Sequence, residues 1–315
     1  MGKLAWLMAL AAVAGGVSVR AADVKRIAVI PKGTTHSFWK SVEAGAKKAG
    51  AELGVEIIWK GPLKEDDRAQ QISVVQQFVA DRVDAIVLAP LDKTALRGPV
   101  KAAMVKNIPV VIFDSALDGK AGEDFVSFVA TDSHAGGMLG GARLAELLGG
   151  KGKVVLLRYI EGSASTMARE QGFLDEIRKH PGIVVTADNR YAGPTSSSAK
   201  ETAMNMIDVI KEADGIFCPN ESSTFGMLLA LRANGLAGRK KFVGFDTSEP
   251  LLKGLEAGDL QGLIAQNPGK MGYLAVKAVV AHLNGAKVEP GVDTGCALVT
   301  SENLTTPAIR ELLGK

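Results

Sequence analysis

The sequence predicts an α/β protein made of two doubly wound parallel-sheet lobes. Short apolar runs rich in β-branched residues alternate with segments of helical periodicity, and successive runs begin about 25–30 residues apart, the length of one βα unit. The runs contain few polar residues, as is typical of strands buried on both faces of a parallel sheet. The alternation is interrupted once and then resumes, in a chain of 315 residues that is long for one hydrophobic core.

The first series begins with the strand 27–30, and Pro31 ends its pairing because proline has no N–H to donate. Ser37 is the predicted N-cap of the next helix, where apolar residues recur at helical spacing. The predicted strands of this series are 27–30, 56–59, 85–88 and 110–113, and its predicted helices are 37–53, 66–81 and 93–106.

A polar, glycine-bearing loop over 116–124 interrupts the pattern, and 125–131 is predicted to be an extended strand that links the two lobes. A final helix over 270–284 and a strand over 297–299 cannot be assigned to a lobe by periodicity. The predicted strands of the second series are 153–157, 184–187, 215–218, 242–244 and 262–265, and its predicted helices are 136–148, 167–179, 198–212, 224–234 and 249–257.

The N-terminus has the pattern of a secretory signal peptide over 1–21. Lys3 supplies a positive charge, 4–19 is mostly apolar and small, and 19–21 fits a small-x-small cleavage site before Ala22. The apolar run is short for a membrane span, and no stop-transfer pattern follows it. We therefore expect an exported, soluble mature protein.

Composition and motifs argue against several classes of protein. The net charge is only +3 and forms no basic block, so no nucleic-acid partner is indicated. The stretch 149–153 resembles a phosphate loop but has no Ser or Thr after Lys153. No nucleophile elbow, zinc-protease motif or Cys/His metal spacing is present, so we expect no enzyme, cofactor or metal site.

Two further sequence features have structural interpretations. The glycine-rich stretch 136–141 does not follow a strand with dinucleotide-binding spacing, and we interpret it as a site of close helix packing. Cys218 and Cys296 each lie in an apolar run, which favours buried free thiols. A disulfide between them stays open, because it depends on a distance that sequence does not supply.

Polar residues follow the predicted strands where those strands end. Ligands of open α/β sheets bind at the carboxyl ends of the strands, so two facing lobes would bring these residues into one cleft. Carboxylates accept from hydroxyl groups, a guanidinium donates, and amides do both, which suits a polyhydroxylated ligand. The polar members are Lys32, His36, Asp114, Ser115, Arg169, Asn220, Asp246 and Gln266, and the aromatic residues Phe38 and Trp39 at the start of the first helix join them, since they can cover the apolar face of a sugar ring. An alternative for Asn220 and Asp246 is that they cap helices.

The chain resembles periplasmic substrate-binding proteins of the ribose-binding type, which share their fold with the effector domains of lactose-repressor-like regulators. The resemblance covers essentially all of the chain after the predicted signal peptide. The matching motifs are Phe38-Trp39, IPVVIFDS at 108–115, ATDSHAGG at 130–137, AREQGF at 168–173, CPNESSTFGMLLAL at 218–231, VGFD at 243–246 and IAQNP at 264–268.

The resemblance implies a type I periplasmic binding fold whose lobes are joined by a three-crossover hinge. The expected N-terminal lobe is 22–131 plus 267–294, and the expected C-terminal lobe is 132–266 plus 295–315. The implied function is that of the periplasmic component of an ABC importer, which closes on a pentose, hexose or polyol and delivers it to the permease transmembrane subunits. We expect a monomer, with a chemoreceptor as a further candidate partner.

The family's sugar contacts carry over to matching positions in this chain. Asp114 and Arg169 are expected to bind ring or anomeric hydroxyls, and the aromatic pair is expected to form the wall on which the sugar ring stacks. The implied contact residues are His36, Phe38, Trp39, Asp114, Arg169, Asn220, Asp246 and Gln266.

Three departures from the ribose-binding pattern keep alternatives open. Ser115 stands where ribose binders carry arginine, and the region around Thr195 lacks the expected second-lobe aromatic, for which Tyr191 is the candidate substitute. Lys32 with Asp114 resembles the pattern of autoinducer-2 binding proteins, so an autoinducer-2 receptor is one alternative. A sugar sensor that feeds a chemoreceptor or kinase is another. A transcriptional regulator would need a helix-turn-helix where the signal peptide stands.

Overall fold

The computed structural model describes residues 24–314, so the predicted signal peptide lies outside the described residues. The strands are β1 (Arg26–Ile30), β2 (Glu56–Trp59), β3 (Ala85–Leu88), β4 (Val110–Phe113), β5 (Ser127–Ala130), β6 (Lys151–Arg158), β7 (Gly182–Tyr191), β8 (Gly215–Phe217), β9 (Lys241–Phe245), β10 (Gly262–Gln266), β11 (Gly291–Asp293) and β12 (Cys296–Val299). The helices are α1 (Ser37–Leu53), α2 (Arg68–Ala80), α3 (Arg97–Val105), α4 (Ser133–Leu147), α5 (Ala164–Ile177), α6 (Ser196–Asn205), α7 (Ile207–Glu212), α8 (Glu221–Ala233), α9 (Glu249–Glu256), α10 (Pro268–Leu283) and α11 (Pro307–Leu312).

The described strands form two six-stranded sheets of the same order. The first sheet runs β11-β5-β4-β3-β1-β2, and the second runs β12-β10-β9-β8-β6-β7. All pairs are parallel except β10 with β12, which is antiparallel. The chain passes from one sheet to the other after β5, after β10 and after β11. The predicted fold class, two doubly wound lobes joined by three crossovers, is confirmed.

Each sheet buries apolar side chains on both of its faces. In β1, Ile27 and Val29 pack with residues of α1 and α10, whereas Ala28 and Ile30 pack with residues of α2 and α3. Successive side chains of a strand point to opposite faces, so a strand covered by helices on both sides must be apolar throughout. This explains the continuous apolar runs in the sequence.

Glycines allow the closest helix pairs to approach. A Cβ on Gly45 of α1 would lie 1.9 Å from the carbonyl oxygen of Gly269 in α10, and one on Gly137 of α4 would lie 2.0 Å from that of Arg169 in α5. The two helix pairs occupy equivalent places in the two lobes. The interpretation of the stretch 136–141 as a site of close helix packing is confirmed.

The segment 125–131 is a core strand and not the predicted linking strand. Its central part, β5, pairs in parallel with β4 and with β11, and Val129 is fully buried. The first crossover comes afterwards, between β5 and α4, so the prediction of a link over 125–131 was wrong. A short strand that follows a polar loop resembles a linker in sequence, because its partner β11 is distant along the chain.

Several predicted boundaries also differ from the structure. The segment 198–212 is two helices, α6 and α7, separated at Met206, which leaves the helical region with φ −102 and ψ 7. The predicted helix 93–106 begins only at α3, because Asp92 holds the preceding amides of Thr94 and Ala95 in a turn. The short elements β11 and α11 were missed, and β6 and β7 are longer than predicted. Within 24–314, no helix has the length and apolar character needed to cross a bilayer.

Candidate functional site: the cleft between the lobes

A cavity of about 310 Å³ lies between the lobes, where the carboxyl ends of the two sheets face each other. Nine of the ten predicted site residues line it, and Ser115 does not. Its lining consists of Lys32, His36, Phe38, Trp39, Glu65, Asp114, Ser165, Thr166, Arg169, Asn220, Glu221, Asp246 and Gln266.

An aromatic corner forms at the start of α1. Phe38 and Trp39 meet edge to face with ring centroids 5.0 Å apart, and Trp39 packs in the same way on Phe113 at 6.2 Å. Trp39 is only 2% exposed, whereas Phe38 is half-buried. Phe38 is therefore the more accessible of the two rings, and Trp39 supports it from behind.

A buried ion pair joins Lys32 and Asp114 of the first lobe. The Lys32 Nζ lies 3.0 Å from Asp114 Oδ2, and both side chains are almost completely buried. The same ammonium donates to the Ser165 hydroxyl of the second lobe at 3.0 Å and to that of Ser163 at 3.4 Å. Lys32 thus neutralises a cavity carboxylate and also bridges the two lobes.

A second ion pair joins His36 and Glu65, a residue that the sequence prediction missed. One oxygen of Glu65 lies 2.8 Å from His36 Nδ1 and accepts the indole N–H of Trp39 at 2.7 Å. Burial alone would lower the pKa of His36, but the adjacent carboxylate raises that pKa to about 9. Burial would likewise raise the pKa of Glu65, but His36 lowers that pKa to about 2. Both groups are therefore charged at neutral pH.

Extending the strand-end reasoning to β2 would have directed attention to Glu65. This residue lies in the loop that follows β2, six residues after the strand ends, behind a Gly-Pro sequence. Ser165 and Thr166 lie within the polar stretch that follows β6, and Glu221 is adjacent to Asn220. The sequence placed these three near the site but gave no reason to include them in the ligand set.

The second lobe contributes a chain of hydrogen bonds centred on Arg169. This guanidinium donates to the Pro219 carbonyl at 3.1 Å and to the Gln266 side-chain oxygen at 3.0 Å, and it lies 4.1 Å from the centre of the Phe245 ring. Gln266 in turn donates to Asp246 at 2.7 Å. The buried Arg169 Nε has no hydrogen-bond partner among residues 24–314.

Asp246 is a buried carboxylate that binds the helix α8 through a backbone amide. Its Oδ2 accepts the N–H of Glu221 at 2.8 Å. Burial raises the pKa of Asp246 to about 6, although Arg169 and the hydrogen bond from Gln266 act in the opposite direction. Asp246 therefore changes its charge near pH 6.

The two residues with a helix-capping alternative behave differently. Asn220 is the N-cap of α8, where its side chain accepts the Ser223 N–H at 3.2 Å, and it also lines the cavity. Asp246 is not the N-cap residue of α9, which is Ser248, but its carboxylate accepts the N–H of Glu221, the first residue of α8. The predicted N-cap position is therefore confirmed for Asn220 and wrong for Asp246.

Ser115 and Tyr191 do not occupy the places expected of them. Ser115 is fully buried, and its hydroxyl accepts the N–H of Ser165 from the other lobe at 3.2 Å. Tyr191 ends the edge strand β7, is 46% exposed and does not line the cavity. The suggestion that Tyr191 replaces the missing second-lobe aromatic was wrong, since the edge of the sheet points it into solvent.

The cysteines differ in burial, and both are free thiols. Cys218 is fully buried as predicted, and burial raises the pKa of its thiol well above the usual value. Cys296 is only half-buried, because it opens β12 at the edge of the second sheet. In the described part of the chain, no cluster of His, Cys, Asp and Glu could hold a metal ion.

Comparison with known proteins agrees with this architecture. A family model described as periplasmic binding protein domain matches residues 27–287. The ribose import binding protein of Salmonella typhimurium is 27% identical over 303 residues, which are 96% of this chain and 99% of that protein. The D-allose-binding periplasmic protein of Escherichia coli is 29% identical over 280 residues, 87% of this chain and 89% of that protein.

Two solved structures have the same fold as this chain, and their sequence identity to it is higher than that of the ribose- and allose-binding proteins. The periplasmic component of an ABC-type sugar transport system from Hahella chejuensis is 36% identical with a TM-score of 0.83, covering 87% of this chain and 99% of that one. A carbohydrate transporter solute binding protein from Agrobacterium radiobacter, in complex with D-arabinose, is 35% identical with a TM-score of 0.88, covering 93% and 99%. These similarities do not favour the autoinducer-2 alternative. The chain belongs to the periplasmic binding protein domain family, as its resemblance to the ribose-binding type predicted.

Proposed function

We propose that this protein is the periplasmic solute-binding component of an ABC importer and that it encloses a small neutral sugar or polyol between its lobes. The observation that carries the proposal is the interlobe cavity, where Asp114, Arg169, Asn220, Asp246 and Gln266 surround one space beside the ring of Phe38. Carboxylates, amides and a guanidinium pair with hydroxyl groups as donors and acceptors. The family and the named ligands of its relatives support this class of ligand.

The charges of the cavity favour a neutral ligand. Lys32 is paired with Asp114 and His36 with Glu65, and the charge of Arg169 acts on the nearby carboxylate of Asp246, so the positive groups of the cavity already have negative neighbours. A ligand that carried its own charge would compete with one of these pairs in a buried setting, where an unpaired charge is costly. Hydroxyl groups can join the same networks without changing their charge balance.

We further propose that the ligand is bound and released unchanged, so that the protein is not an enzyme. The cavity supplies hydrogen bonds and ion pairs that hold a polar molecule. Hinge closure buries the ligand, and reopening at the permease releases it. Incubation with the bound sugar, followed by NMR of the recovered sugar, should return it chemically unchanged.

The test of ligand class is a thermal-shift screen followed by calorimetry. The panel consists of pentoses, hexoses, polyols and autoinducer-2. A ligand that binds only the folded state stabilises it by mass action, so we expect a shift of several degrees with at least one sugar or polyol. A shift with autoinducer-2 alone, or with none of the sugars and polyols, would overturn the proposal.

A matched pair of arginine variants tests the location of the site. Arg169→Ala should abolish the sugar-induced shift, because it removes a buried donor and leaves the side-chain oxygen of Gln266 without its partner. Arg178→Ala removes a largely exposed guanidinium at the C-cap of α5 and should keep the full shift. Equal shifts in both variants would place the binding site elsewhere.

The cellular context is part of the proposal. The pattern over 1–21 supports export to the periplasm, and mass spectrometry of the mature protein should find Ala22 at its N-terminus. We propose a monomer that docks on permease transmembrane subunits through both lobes, with a chemoreceptor as a further candidate partner. Crosslinking in intact cells distinguishes the two, because recovery of a receptor without permease subunits would indicate sensing and not transport.

We also propose a division of the chain into lobes at 131/132, 266/267 and 294/295. The membership of β11 in the first sheet and of β12 in the second supports the last of these boundaries. The packing of α10 on α1 supports placing 267–294 with the N-terminal lobe. Hydrogen exchange on the intact protein tests this division. The amides within each proposed lobe should share a level of protection, and that level should differ between the two lobes.

A further inference from the structure

Helices α1 and α5 begin at the cleft in equivalent places, and neither is capped by its own N-cap side chain. Each follows the first strand of its lobe, β1 or β6. The N-cap residues, His36 and Ser163, have extended backbones suited to capping but make no side-chain capping hydrogen bond. Neither helix has an acidic residue in its first turn, so the positive end of each helix dipole has no compensating charge there.

The two N-cap side chains are engaged elsewhere. The ring of His36 is paired with Glu65. The hydroxyl of Ser163 accepts a hydrogen bond from the Lys32 ammonium across the cleft. The sequence supplies a serine at the cap position of α5, but the site uses its hydroxyl for a contact between the lobes.

The opposite lobe supplies the missing caps. Glu221 of the second lobe accepts the N–H of Phe38 in α1 at 3.1 Å. Ser115 of the first lobe accepts the N–H of Ser165 in α5 at 3.2 Å. Phe38 and Ser165 are each the second residue of their helix, where a capping side chain normally binds. The arrangement is reciprocal.

We propose that Glu221 and Ser115 are positioning residues that cap α1 and α5, the helices that follow the first strand of the opposite lobe, only when the cleft is closed. Closing then gains two helix caps, and opening returns both amides to water. This contribution to closure needs no ligand, so these residues set how much of the binding energy a ligand must spend on closing the lobes. The inference concerns the conformational equilibrium and does not depend on which ligand binds.

The two caps should differ in strength. Glu221 brings a negative charge to the positive end of α1, which makes its hydrogen bond charge-assisted. Ser115 brings a neutral hydroxyl to α5, so its hydrogen bond is weaker. The loss of Glu221 should therefore open the cleft more than the loss of Ser115.

Amide exchange in the ligand-free protein tests the proposal. NMR would follow the Phe38 and Ser165 amides in wild type, Glu221→Ala and Ser115→Ala, with the radius of gyration measured by small-angle scattering. In Glu221→Ala we expect protection of Phe38 to fall about tenfold. Protection of Ser165 should fall with it, because opening exposes both amides together. The radius of gyration should rise toward that of an open form, and Ser115→Ala should show the same pattern more weakly.

A control variant separates closure from general loss of stability. Asp84→Ala removes a carboxylate that accepts a backbone N–H, that of Arg26, at the opposite end of the first sheet. It should leave the Phe38 and Ser165 amides and the radius of gyration unchanged. A purely local role for Glu221 would expose Phe38 alone, and this result would overturn the proposal. No sugar is used, so failure here is distinct from failure of the ligand screen, and Ser115→Ala remains informative if Glu221→Ala folds poorly.

Discussion

Asp114 and Asp246 occupy equivalent positions in the two lobes and share an uncommon backbone conformation. Each directly follows a phenylalanine at the end of the third strand of its sheet, β4 or β9, and each has a positive φ, 61° for Asp114 and 69° for Asp246. This left-handed conformation costs about 1–2 kcal/mol for most residues, but Asp and Asn tolerate it better. Each lobe thus presents one carboxylate to the cavity through the same turn.

Asp114→Asn should weaken sugar binding at least tenfold, since about 1.5 kcal/mol or more is lost with a charged hydrogen-bonding group. Asparagine tolerates the positive φ, so the turn should persist. The change leaves the buried ammonium of Lys32 without its ionic partner. Calorimetry with the sugar found in the screen measures the loss. Asp118→Asn, in an exposed loop, is the control and should bind as wild type does.

Sugar binding should weaken as the pH falls below about 6, the pKa to which burial raises Asp246. Protonation turns an acceptor of ligand hydroxyls into a donor, so affinity should fall by up to about tenfold per pH unit below that value. Calorimetry at pH 7.5 and at pH 5 checks this. In Asp246→Asn the affinity should be low and nearly independent of pH, and a wild-type affinity equal at both pH values would contradict the assignment.

Glu65→Gln should lower the pKa of His36 from about 9, because burial is then opposed only by the more modest effects of Glu221 and of the Pro194 backbone. A histidine with a raised pKa stabilises the folded state below its unfolded pKa of about 6.5, and this contribution is lost as the pH rises through about 9. Glu65, whose pKa is lowered to about 2, stabilises the folded state above about pH 4.5, and this stabilisation is lost as the pH falls through about 2.

The pair should therefore stabilise the fold most between about pH 4.5 and 6.5. The difference in unfolding free energy between wild type and Glu65→Gln should be largest in that window and should narrow toward pH 9. Urea denaturation at pH 5.5 and pH 8.5, with NMR titration of the His36 ring, measures both effects. An unaltered His36 pKa in the variant would show that Glu65 is not the cause of the shift.

Gly45→Ala should destabilise the first lobe by about 1–3 kcal/mol, the usual cost of overpacking. The added Cβ would lie 1.9 Å from the Gly269 carbonyl oxygen, so α1 and α10 would have to separate. Gly98→Ala, in α3, meets no atom within 4 Å and should be neutral or slightly stabilising. Urea denaturation compares the two, and equal stabilities would mean that the α1–α10 contact relaxes without cost.

Much of the fold could be predicted because its signals are local in sequence. The strands β1 to β4 each contain an unbroken apolar run, and such a run arises when helices cover both faces of a strand. Two of the exceptions, β5 and β11, share one cause. Both are short and stabilise each other from opposite ends of the chain, so neither segment shows in its own sequence what it pairs with.

A site residue could be predicted from the sequence when it lies near the end of a strand and its own side chain can bind hydroxyl groups. Asp114 follows β4, Arg169 lies in the helix after β6 and Gln266 ends β10, and the structure brings these three side chains, which suit hydroxyl groups, to one cavity. Glu65 was missed because its place in the site depends on a loop that returns to His36 and Trp39. Ser115 was assigned to the ligand set because sequence cannot distinguish a hydroxyl that faces the cavity from one that faces the opposite lobe.

The sequence by itself determined the two-lobed architecture and most of the residues that meet between the lobes, because strand burial and strand-end position follow from short-range patterns. Only the tertiary structure decided how those residues are paired. The ion pairs of Lys32 with Asp114 and of His36 with Glu65, and the caps that Glu221 and Ser115 provide across the cleft, join residues from different strand ends. Such pairing depends on distances of a few ångströms between segments far apart in the chain, and these distances exist only after both sheets have formed and met.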